Sequence, residues 1–418
     1  MTGTGSTGVR IALDARMRFH SGIGTYLRGM FPELVQRLPE CVWHVIQPAD
    51  GQWELPGATL LSCDVPPLTL AEHWRLPRLL HEHRIDWLVV PHINLPRFWP
   101  AARTIAVLHD LIPLDYPRHF RRHVPPAFRY LATRALREAA VVVADTRAVA
   151  ARELPLRRER RRCCELAPVV PRYSPAGAVY PGVSPLPADG APPVAGRYIF
   201  CVGGKPYKHA DLAVQLFETL NDPECRLVLR QAPHEDGGRT ARAVAASPVR
   251  ERITVCPRLT PAALGAAYRQ ARVFLFCSEA EGFGYPPLEA MQAGVPVLLR
   301  RGSPALAETA GNAAVWFDAE RIPAAAGQLR ALLDDETLRQ EMIARGGAHV
   351  RQFTWAAAGM QLAEVVRRVL AGRTATIPTL LREPGRTLTS LPAAAPVPSP
   401  RTMAIAHDWV FHRRGGEV

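Results

Sequence analysis

The chain has 418 residues and a mass of 46.0 kDa, and about 150 residues per domain predicts two or three domains. Hydrophobic residues make up 48% and charged residues 21%, a composition that excludes wholesale disorder. The net charge of +13 favours anionic partners such as phosphate groups, nucleic acid or an acidic membrane face. Runs of about 18 apolar residues and a signal peptide at Met1–Gly8 are both absent from the sequence, which favours a cytoplasmic location.

In the first part of the chain, short apolar runs alternate with longer amphipathic ones. The predicted strands are residues 9–13, 43–46, 87–90, 104–108 and 141–144, and the predicted helices are residues 25–38 and 126–140. The strand runs are apolar throughout, as is typical of parallel strands that are buried on both faces. This alternation predicts an open, doubly wound α/β sheet.

The alternation stops at residues 155–196, which contain the basic run 157–162 and many prolines, and then resumes. The second set of predicted strands is 198–202, 226–229, 253–255, 273–276 and 295–299. The predicted helices are 210–220, 261–270, 287–293, 322–333, 337–348 and 354–370. We therefore expect two α/β domains, residues 1–190 and 191–372, with the ligand site in the cleft between them.

The C-terminal part of the sequence has a different character. Residues 373–402 are rich in Pro, Ala, Ser and Thr, which predicts a linker or flexible tail. Residues 403–418 have the pattern of an opening strand and glycine turn of a further α/β domain. They are interpreted as the start of a second enzyme in a tandem polypeptide, as the product of a misread gene boundary, or as an unrelated strand-like tail.

The most informative motif is EGFGYPPLE, residues 281–289, directly after the predicted strand 273–276. Gly282 and Gly284 permit a tight loop that exposes backbone N–H groups to a ligand. The two prolines suit a helix start, so Glu281 is expected on the loop and Glu289 in the first helical turn. Such carboxylates can accept hydrogen bonds from hydroxyls at two places on one elongated ligand. The alternative is an ordinary strand–turn–helix in which Glu289 only stabilises the helix dipole.

Two further glycine turns separate a predicted strand from a helix. Gly203 lies in the first of them, where Lys205 and Lys208 can add positive charge beside an anion. Gly22 and Gly24 lie in the second, which suits phosphate binding or close substrate approach. A purely structural turn, with solvated lysines in the first case, is the alternative for each.

A histidine–aspartate pair, His109-Asp110, follows the predicted strand 104–108. At the carboxyl end of a strand, such a pair can polarise or orient a reacting hydroxyl. The chain has 14 histidines, so the position of His109 carries more weight than its residue type.

Together these four motifs resemble the retaining glycosyltransferases of family 4. That family has the GT-B fold, in which two Rossmann-like domains with parallel sheets face each other across a cleft. The resemblance covers roughly residues 9–370, and its most specific part is the E-x7-E motif of Glu281 and Glu289. The strings DARMRFHSGIGTYLRGM and HDLIPLDYP are similar to bacterial mannosyltransferase-like members that build surface polysaccharides, which favours GDP-mannose as the donor.

The resemblance implies roles for individual residues. It implies that Glu281 contacts the donor sugar, that Glu289 binds the nucleotide ribose, and that His109 lies near the anomeric centre. It places Lys208 on the diphosphate, but Tyr207 stands where the family usually has arginine, so Lys205 is the expected replacement. The implied catalytic residues are His109 and Glu281; the implied donor-binding residues are Gly22, Gly24, Gly203, Lys205, Lys208, Gly282, Phe283, Gly284 and Glu289.

The implied reaction moves a hexosyl group, with mannose favoured, from a nucleotide-diphosphate sugar to a glycan or polyprenyl-diphosphate-linked acceptor. No carboxylate nucleophile is evident, so retention is expected to proceed by displacement on one face of the sugar. Lys208 and helix N-termini can balance the leaving diphosphate, and no DxD-like pair follows a strand. We therefore expect neither a metal ion nor a cofactor. The alternatives are an enzyme of this fold that hydrolyses or epimerises a nucleotide sugar, and a non-catalytic scaffold subunit.

The basic run 157–162 has two interpretations. It can bind anionic lipid head groups or a lipid-diphosphate acceptor, which would bring the protein to the inner face of the cell membrane. It can equally be a solvated surface loop. Nucleic acid is disfavoured as a partner because the sequence has neither basic residues interleaved with aromatics nor a recognised module.

Overall fold

The computed structural model describes residues 8–51, 53–158, 178–233 and 235–372. The predicted linker 373–402, the segment 403–418 and residues 159–162 of the basic run lie outside the described residues. Among the helices that are described, none is both long and apolar enough to cross a bilayer.

The first domain is a parallel sheet with helices on both faces. Its strands within the described residues are β1 (Arg10–Asp14), β2 (Val42–Gln47), β3 (Ala58–Ser62), β4 (Trp87–Val90), β5 (Thr104–Leu108) and β6 (Val141–Ala144). Its helices are α1 (Ser21–Arg37), α2 (Glu72–Glu82), α3 (Ile112–Asp115), α4 (Val124–Glu138) and α5 (Arg147–Arg158). The strand order is β3-β2-β1-β4-β5-β6, so the order in which strands are added to this parallel sheet reverses between β1 and β4.

The second domain repeats this architecture. Its described strands are β7 (Tyr198–Val202), β8 (Arg226–Arg230), β9 (Ile253–Cys256), β10 (Val273–Phe276), β11 (Val297–Arg300) and β12 (Val315–Phe317). The helices after them are α6 (Ala210–Leu220), α7 (Arg239–Ala246), α8 (Pro261–Arg269), α9 (Tyr285–Gln292), α10 (Pro304–Ala310), α11 (Ile322–Asp334), α12 (Glu336–Val350) and α13 (Trp355–Leu370). The order β12-β11-β10-β7-β8-β9 places the reversal between β7 and β10.

Both sheets have the doubly wound strand order of Rossmann-like domains, so the predicted fold class is confirmed. The central strands are buried on both faces, and separate apolar clusters lie on the two sides of each sheet. In such sheets, ligands bind beyond the carboxyl ends of the strands where the order reverses. The connections after β7 and β10 are therefore the first place to look for a site.

The last described helix crosses back to the first domain. Thr354 caps α13 by accepting a hydrogen bond from the Ala357 amide, and the apolar face of α13 then packs against α1. Leu362 and Val366 of α13 share one buried cluster with Leu34 of α1. Residues 355–370 were included in the predicted second domain, residues 191–372, but in the structure they pack against the first domain.

Seven regular elements of this architecture escaped the sequence patterns: β3, β12, α2, α3, α5, α7 and α10. Strand β3 lies at a sheet edge with Leu61 as its one buried residue, and β12 has only three residues. Helix α2 carries Pro77 in its interior, a residue that normally argues against a helix. In the structure, α2 buries Leu76, Pro77 and Leu80 against the sheet, and this packing outweighs the unfavourable local sequence.

Candidate active site

The connections after β7 and β10 bring together a lysine and a glutamate predicted from the sequence. The Lys208 Nζ atom lies 3.1 Å from Glu281 Oε1, and the two side chains are only 17% and 13% exposed. Lys208 also lies over the Phe276 ring at the end of β10, 5.2 Å from its centroid. Lys205, in contrast, is exposed to solvent. The partly buried cation at the crevice is therefore Lys208.

Tyr207, the departure from the family pattern, lies in the same short 3₁₀ turn as Lys208. Burial raises the pKa of its hydroxyl well above the usual value, and the charges of Glu281 and Asp110 raise it further. Tyr207 is thus a neutral group at this position. A bound anion would meet a hydrogen-bond donor there and not a second positive charge.

Glu289 is half-buried on α9, facing Tyr268 of α8. Its Oε2 atom accepts a 2.8 Å hydrogen bond from the Tyr268 hydroxyl. Burial raises the pKa of Glu289, although this hydrogen bond and the charges of Lys208 and Arg230 oppose the effect. The sequence placed Glu289 in the first helical turn, but α9 begins at Tyr285 and Glu289 is its fifth residue. The expectation was wrong because the two prolines follow the first helical residue.

His109, at the end of β5, is held through both ring nitrogens. Its Nδ1 lies 2.7 Å from Asp145 Oδ2 and its Nε2 lies 3.1 Å from the Pro91 carbonyl oxygen. Burial lowers the pKa of His109, but the charges of Asp145 and Asp110 and the two hydrogen bonds outweigh burial and raise it. Because both partners can accept hydrogen bonds, these contacts favour the protonated ring, which can supply positive charge at this side of the cleft.

Asp110, the neighbour of His109, is the titratable group on this side of the cleft. Its Oδ1 accepts a 3.0 Å hydrogen bond from the Ile112 amide. Burial raises its pKa to about 6, the charge of Glu281 adds to this, and the Ile112 hydrogen bond and His109 oppose it. Asp110 can therefore exchange a proton near neutral pH, the role that the sequence left open to the His-Asp pair as a whole.

Gly282 lies at a close contact between the two domains. A Cβ atom at this position would lie 1.8 Å from the His109 carbonyl oxygen. Thr146 of the first domain donates a 3.0 Å hydrogen bond to the Gly282 carbonyl. Only glycine fits here, and its contact brings the loop that carries Glu281 next to His109.

The rest of the EGFG loop supports Gly282 from within the second domain. Gly284 has a φ of +93°, and a Cβ atom there would lie 2.4 Å from Leu306 Cδ2. The Phe283 side chain is buried in the apolar cluster, where its ring meets Tyr285 and Phe353. Phe283 was expected among the donor-binding residues, but its side chain packs in the apolar core of the second domain.

The other predicted glycine turns take a different form. Gly22 and Gly24 lie inside the first turns of α1, since the loop after β1 ends at His20. Gly24 allows close approach of the Arg18 carbonyl, whereas Gly22 has open space around it. In the turn after β7, the Gly204 amide donates a 2.6 Å hydrogen bond to Gln231 Oε1, and a Cβ atom at Gly203 would collide with that oxygen. The Gly204 amide is therefore already paired within the protein.

The sequence patterns missed Glu279, which joins the two domains beside the site. Its carboxylate is 7% exposed and meets Arg118 Nη2 at 2.7 Å, His119 Nε2, His209 Nε2 at 3.2 Å and Arg300 Nη2 at 3.6 Å. Its carbonyl oxygen accepts a 3.0 Å hydrogen bond from the Tyr116 hydroxyl. Burial would raise the pKa of Glu279, but hydrogen bonds from His119, His209 and Arg118 lower it to about 2.

His119, His209 and Glu279 are close enough to hold a metal ion, but their surroundings do not fit one. Arg239 Nη2 lies 3.1 Å from His209 Nδ1, so Nδ1 accepts and the proton of a neutral ring is on Nε2, which faces Glu279. A metal-binding histidine instead directs its second nitrogen, as a donor, at an acceptor. Arg118 also occupies the second carboxylate oxygen. The group is an ion cluster.

A second cluster, formed by Asp14, Glu72 and His92, is fully buried in the first domain. The Arg16 guanidinium lies between the two carboxylates, 2.6 Å from Asp14 Oδ2, and pairs with Glu72 as well. Asn94 donates a 2.6 Å hydrogen bond to Glu72. The Arg16 guanidinium occupies the position that a metal cation would need. The cluster instead holds together the loops that follow β1, β3 and β4.

Comparison with known proteins finds sequence similarity in the second domain. Residues 190–349 match the family model of glycosyl transferases, group 1. The O-antigen chain mannosyltransferase B of Escherichia coli is 39% identical over 88 residues, which are 21% of this chain and 23% of that protein. The D-inositol 3-phosphate glycosyltransferase of Corynebacterium glutamicum (strain R) is 33% identical over 124 residues, 29% and 30% of the two chains. The matches thus span under a third of these curated relatives.

Solved structures match over almost their whole length. Sucrose-phosphate synthase from Thermosynechococcus elongatus superposes with a TM-score of 0.64 at 17% identity, over 87% of this chain and 99% of that one. Alr3699/HepE from Anabaena, solved in complex with UDP-glucose, superposes with a TM-score of 0.62 at 13% identity, over 86% and 99% of the chains. At these identities the likeness establishes the fold, and the expected two-domain GT-B architecture is confirmed.

Proposed function

We propose that this protein is a glycosyltransferase that moves a hexosyl group from a nucleotide-diphosphate sugar to a glycan or lipid-linked glycan acceptor. The convergence of Lys208 and Glu281, 3.1 Å apart where the strand order of the second sheet reverses, carries the proposal. Glu289 lies on the helix that follows the same loop. These residues all fall within the segment that matches the glycosyl transferase family model.

The donor that we favour is GDP-mannose, and the pathway is surface polysaccharide synthesis. The support is the resemblance of two first-domain strings to mannosyltransferases and the local similarity to a protein named as an O-antigen chain mannosyltransferase. A structural neighbour was solved with UDP-glucose, so UDP-glucose is the competing donor. Because the two donors differ in both nucleotide and sugar, a direct comparison separates them.

The proposed mechanism uses fixed charges around the leaving group. Lys208 balances the negative charge on the departing diphosphate, and the His109 cation adds positive charge from the opposite domain. Glu281 accepts hydrogen bonds from sugar hydroxyls, and Glu289 accepts them from the ribose. The bond from the anomeric carbon to the diphosphate breaks while the acceptor oxygen attacks the same face, so the configuration is retained. The acceptor proton passes to the leaving diphosphate oxygen, and no metal ion is needed.

The test is a transfer assay with GDP-mannose and UDP-glucose, with and without a glycan acceptor and in the presence of EDTA. Transfer must depend on the acceptor, and NMR of the product must show the anomeric configuration of the donor. We expect Lys208→Ala and Glu281→Gln each to lower kcat/KM by about 100-fold or more. The matched control Lys205→Ala removes an exposed lysine from the same turn and should cost less than about threefold.

The alternative functions give different results. Donor cleavage that is equally fast without an acceptor would replace the proposal with a hydrolase. Normal turnover by both site variants would mean that the residue assignments are wrong. A wild-type protein that binds no nucleotide sugar would favour the non-catalytic scaffold.

A further inference from the structure

Two carboxylates of the second domain form hydrogen bonds with the first domain on either side of the Gly282–His109 contact. One is Glu279, whose carboxylate pairs with Arg118 and His119 of the first domain, while its backbone carbonyl accepts a hydrogen bond from the Tyr116 hydroxyl. The other is Glu308 on α10. Its Oε1 and Oε2 accept hydrogen bonds of 2.9 and 2.7 Å from the Arg147 and Ala148 amides, and the Tyr180 hydroxyl pairs with it as well.

We propose that Glu279 and Glu308 are positioning residues that clamp the first domain onto the second and thereby hold His109 next to the Glu281 loop. The catalytic consequence rests on the proposed function, whereas the clamp is a property of the fold and is tested separately.

The position of Glu279 in the chain connects it to the site on both sides. It lies two residues before Glu281, and its amide donates a 2.9 Å hydrogen bond to the Tyr207 carbonyl, next to Lys208. Its first-domain partners lie within residues 116–119, seven to ten residues after His109 in the sequence. A shift of this one carboxylate would therefore move the Glu281 loop, the Lys208 turn and the His109 segment relative to one another.

The chemistry of Glu279 suits a permanent interdomain contact. A buried carboxylate is stable as an anion only when cations and hydrogen-bond donors surround it, and here they come from both domains. His209 and Arg300 hold it from the second domain, while Arg118 and His119 complete the set from the first. Separation of the domains would leave the buried carboxylate without half of its partners.

Glu308 acts on a helix end. The first amides of any α-helix lack partners within the helix, and the N-terminus carries partial positive charge. At the start of α5, the partner is supplied across the domain boundary by Glu308. The Arg147 and Ala148 amides are thus protected only while the domains are together, which makes their exchange with solvent a direct reporter of the clamp.

The experiment is amide hydrogen exchange on the full chain without ligand, for the wild type, Glu308→Ala and Glu279→Gln. For Glu308→Ala we expect about tenfold faster exchange at Arg147 and Ala148. For Glu279→Gln we expect faster exchange in residues 112–120, and for both variants unchanged exchange in β5 and β10. The matched control is Glu341→Gln, which removes an exposed carboxylate that pairs with Arg345 inside α12. Exchange rates equal to wild type in both variants would overturn the clamp.

A second readout separates positioning from donor binding. Apart from the charge of His109, the nucleotide contacts that we propose lie on the second domain, so each variant should lower kcat by about 10- to 100-fold and change the Kd for nucleoside diphosphate less than threefold. Loss of nucleotide binding would mean that the carboxylates act in the donor site, against the proposal. Arg118→Met, at a side chain that is 66% exposed, tests the same contact without a change at Glu279. If the wild type shows no transfer, the proposed function fails and the exchange measurement still decides the clamp.

Discussion

The contact between Gly282 and His109 permits a sharp prediction for Gly282→Ala. The new Cβ would lie 1.8 Å from the His109 carbonyl oxygen, and side-chain carbons essentially never come within 3.0 Å of such an atom. The two segments must therefore separate by about 1.2 Å. Both clashing groups are fixed to backbone, so no rotamer change relieves the contact. A misplacement of about 1 Å at reacting groups costs about 100-fold in rate, and we expect this loss in kcat.

The assay for Gly282→Ala is transfer at saturating donor, together with calorimetric titration of the nucleotide and thermal unfolding. The structure places the clash between domains, so the melting temperature should stay close to that of the wild type. Gly347→Ala is the matched control, because a Cβ there meets nothing within 4 Å and alanine favours the α12 helix by about 1 kcal/mol. Full activity of Gly282→Ala would refute the domain apposition described above as the working geometry.

Three further variants test the charges of the site. Asp145→Asn removes the main group that raises the pKa of His109 against burial, so NMR titration of the imidazole should show a lower pKa; an unchanged value would contradict the ion pair. Tyr268→Phe removes the hydrogen bond to half-buried Glu289, a loss of about 1–3 kcal/mol, and should weaken nucleotide binding about tenfold or more in calorimetry. Glu279 has a pKa lowered from 4.5 to about 2, so its stabilisation is complete above pH 4.5 and is lost as the pH falls towards 2. The unfolding free-energy difference between wild type and Glu279→Gln should shrink over that interval, and a difference that stays constant would contradict this ionisation.

The fold could be predicted where burial leaves a continuous apolar run. Strands β5, β6, β7 and β10 have the predicted bounds, because strands covered on both faces carry hydrophobic residues at every position. Edge strand β3 and helix α2 escaped prediction, since their formation depends on packing against the sheet and not on local pattern.

The candidate site could be predicted in part for a similar reason. Lys208 and Glu281 lie in the connections that follow β7 and β10, and strand ends in this fold point to the crevice, so their positions identified them. Asp145 also follows a strand directly, and the same rule could have singled it out as the partner of His109. Glu279 also lies just after β10, but the interdomain contacts of Glu279 and Glu308 could not be found this way. Their first-domain partners lie about 130 to 160 residues away in the chain, and only the apposition of the two domains brings them together.

The central claim is that the second domain binds a nucleotide-diphosphate sugar through Lys208. Calorimetric titration of the purified chain with GDP, UDP and ADP and their hexose conjugates, in metal-free buffer, tests it most directly. We expect one nucleotide to bind selectively, with GDP favoured, and Lys208→Ala to abolish the heat signal while Lys205→Ala retains it. Absence of binding by every nucleotide, or equal binding by the Lys208 variant, would contradict the account.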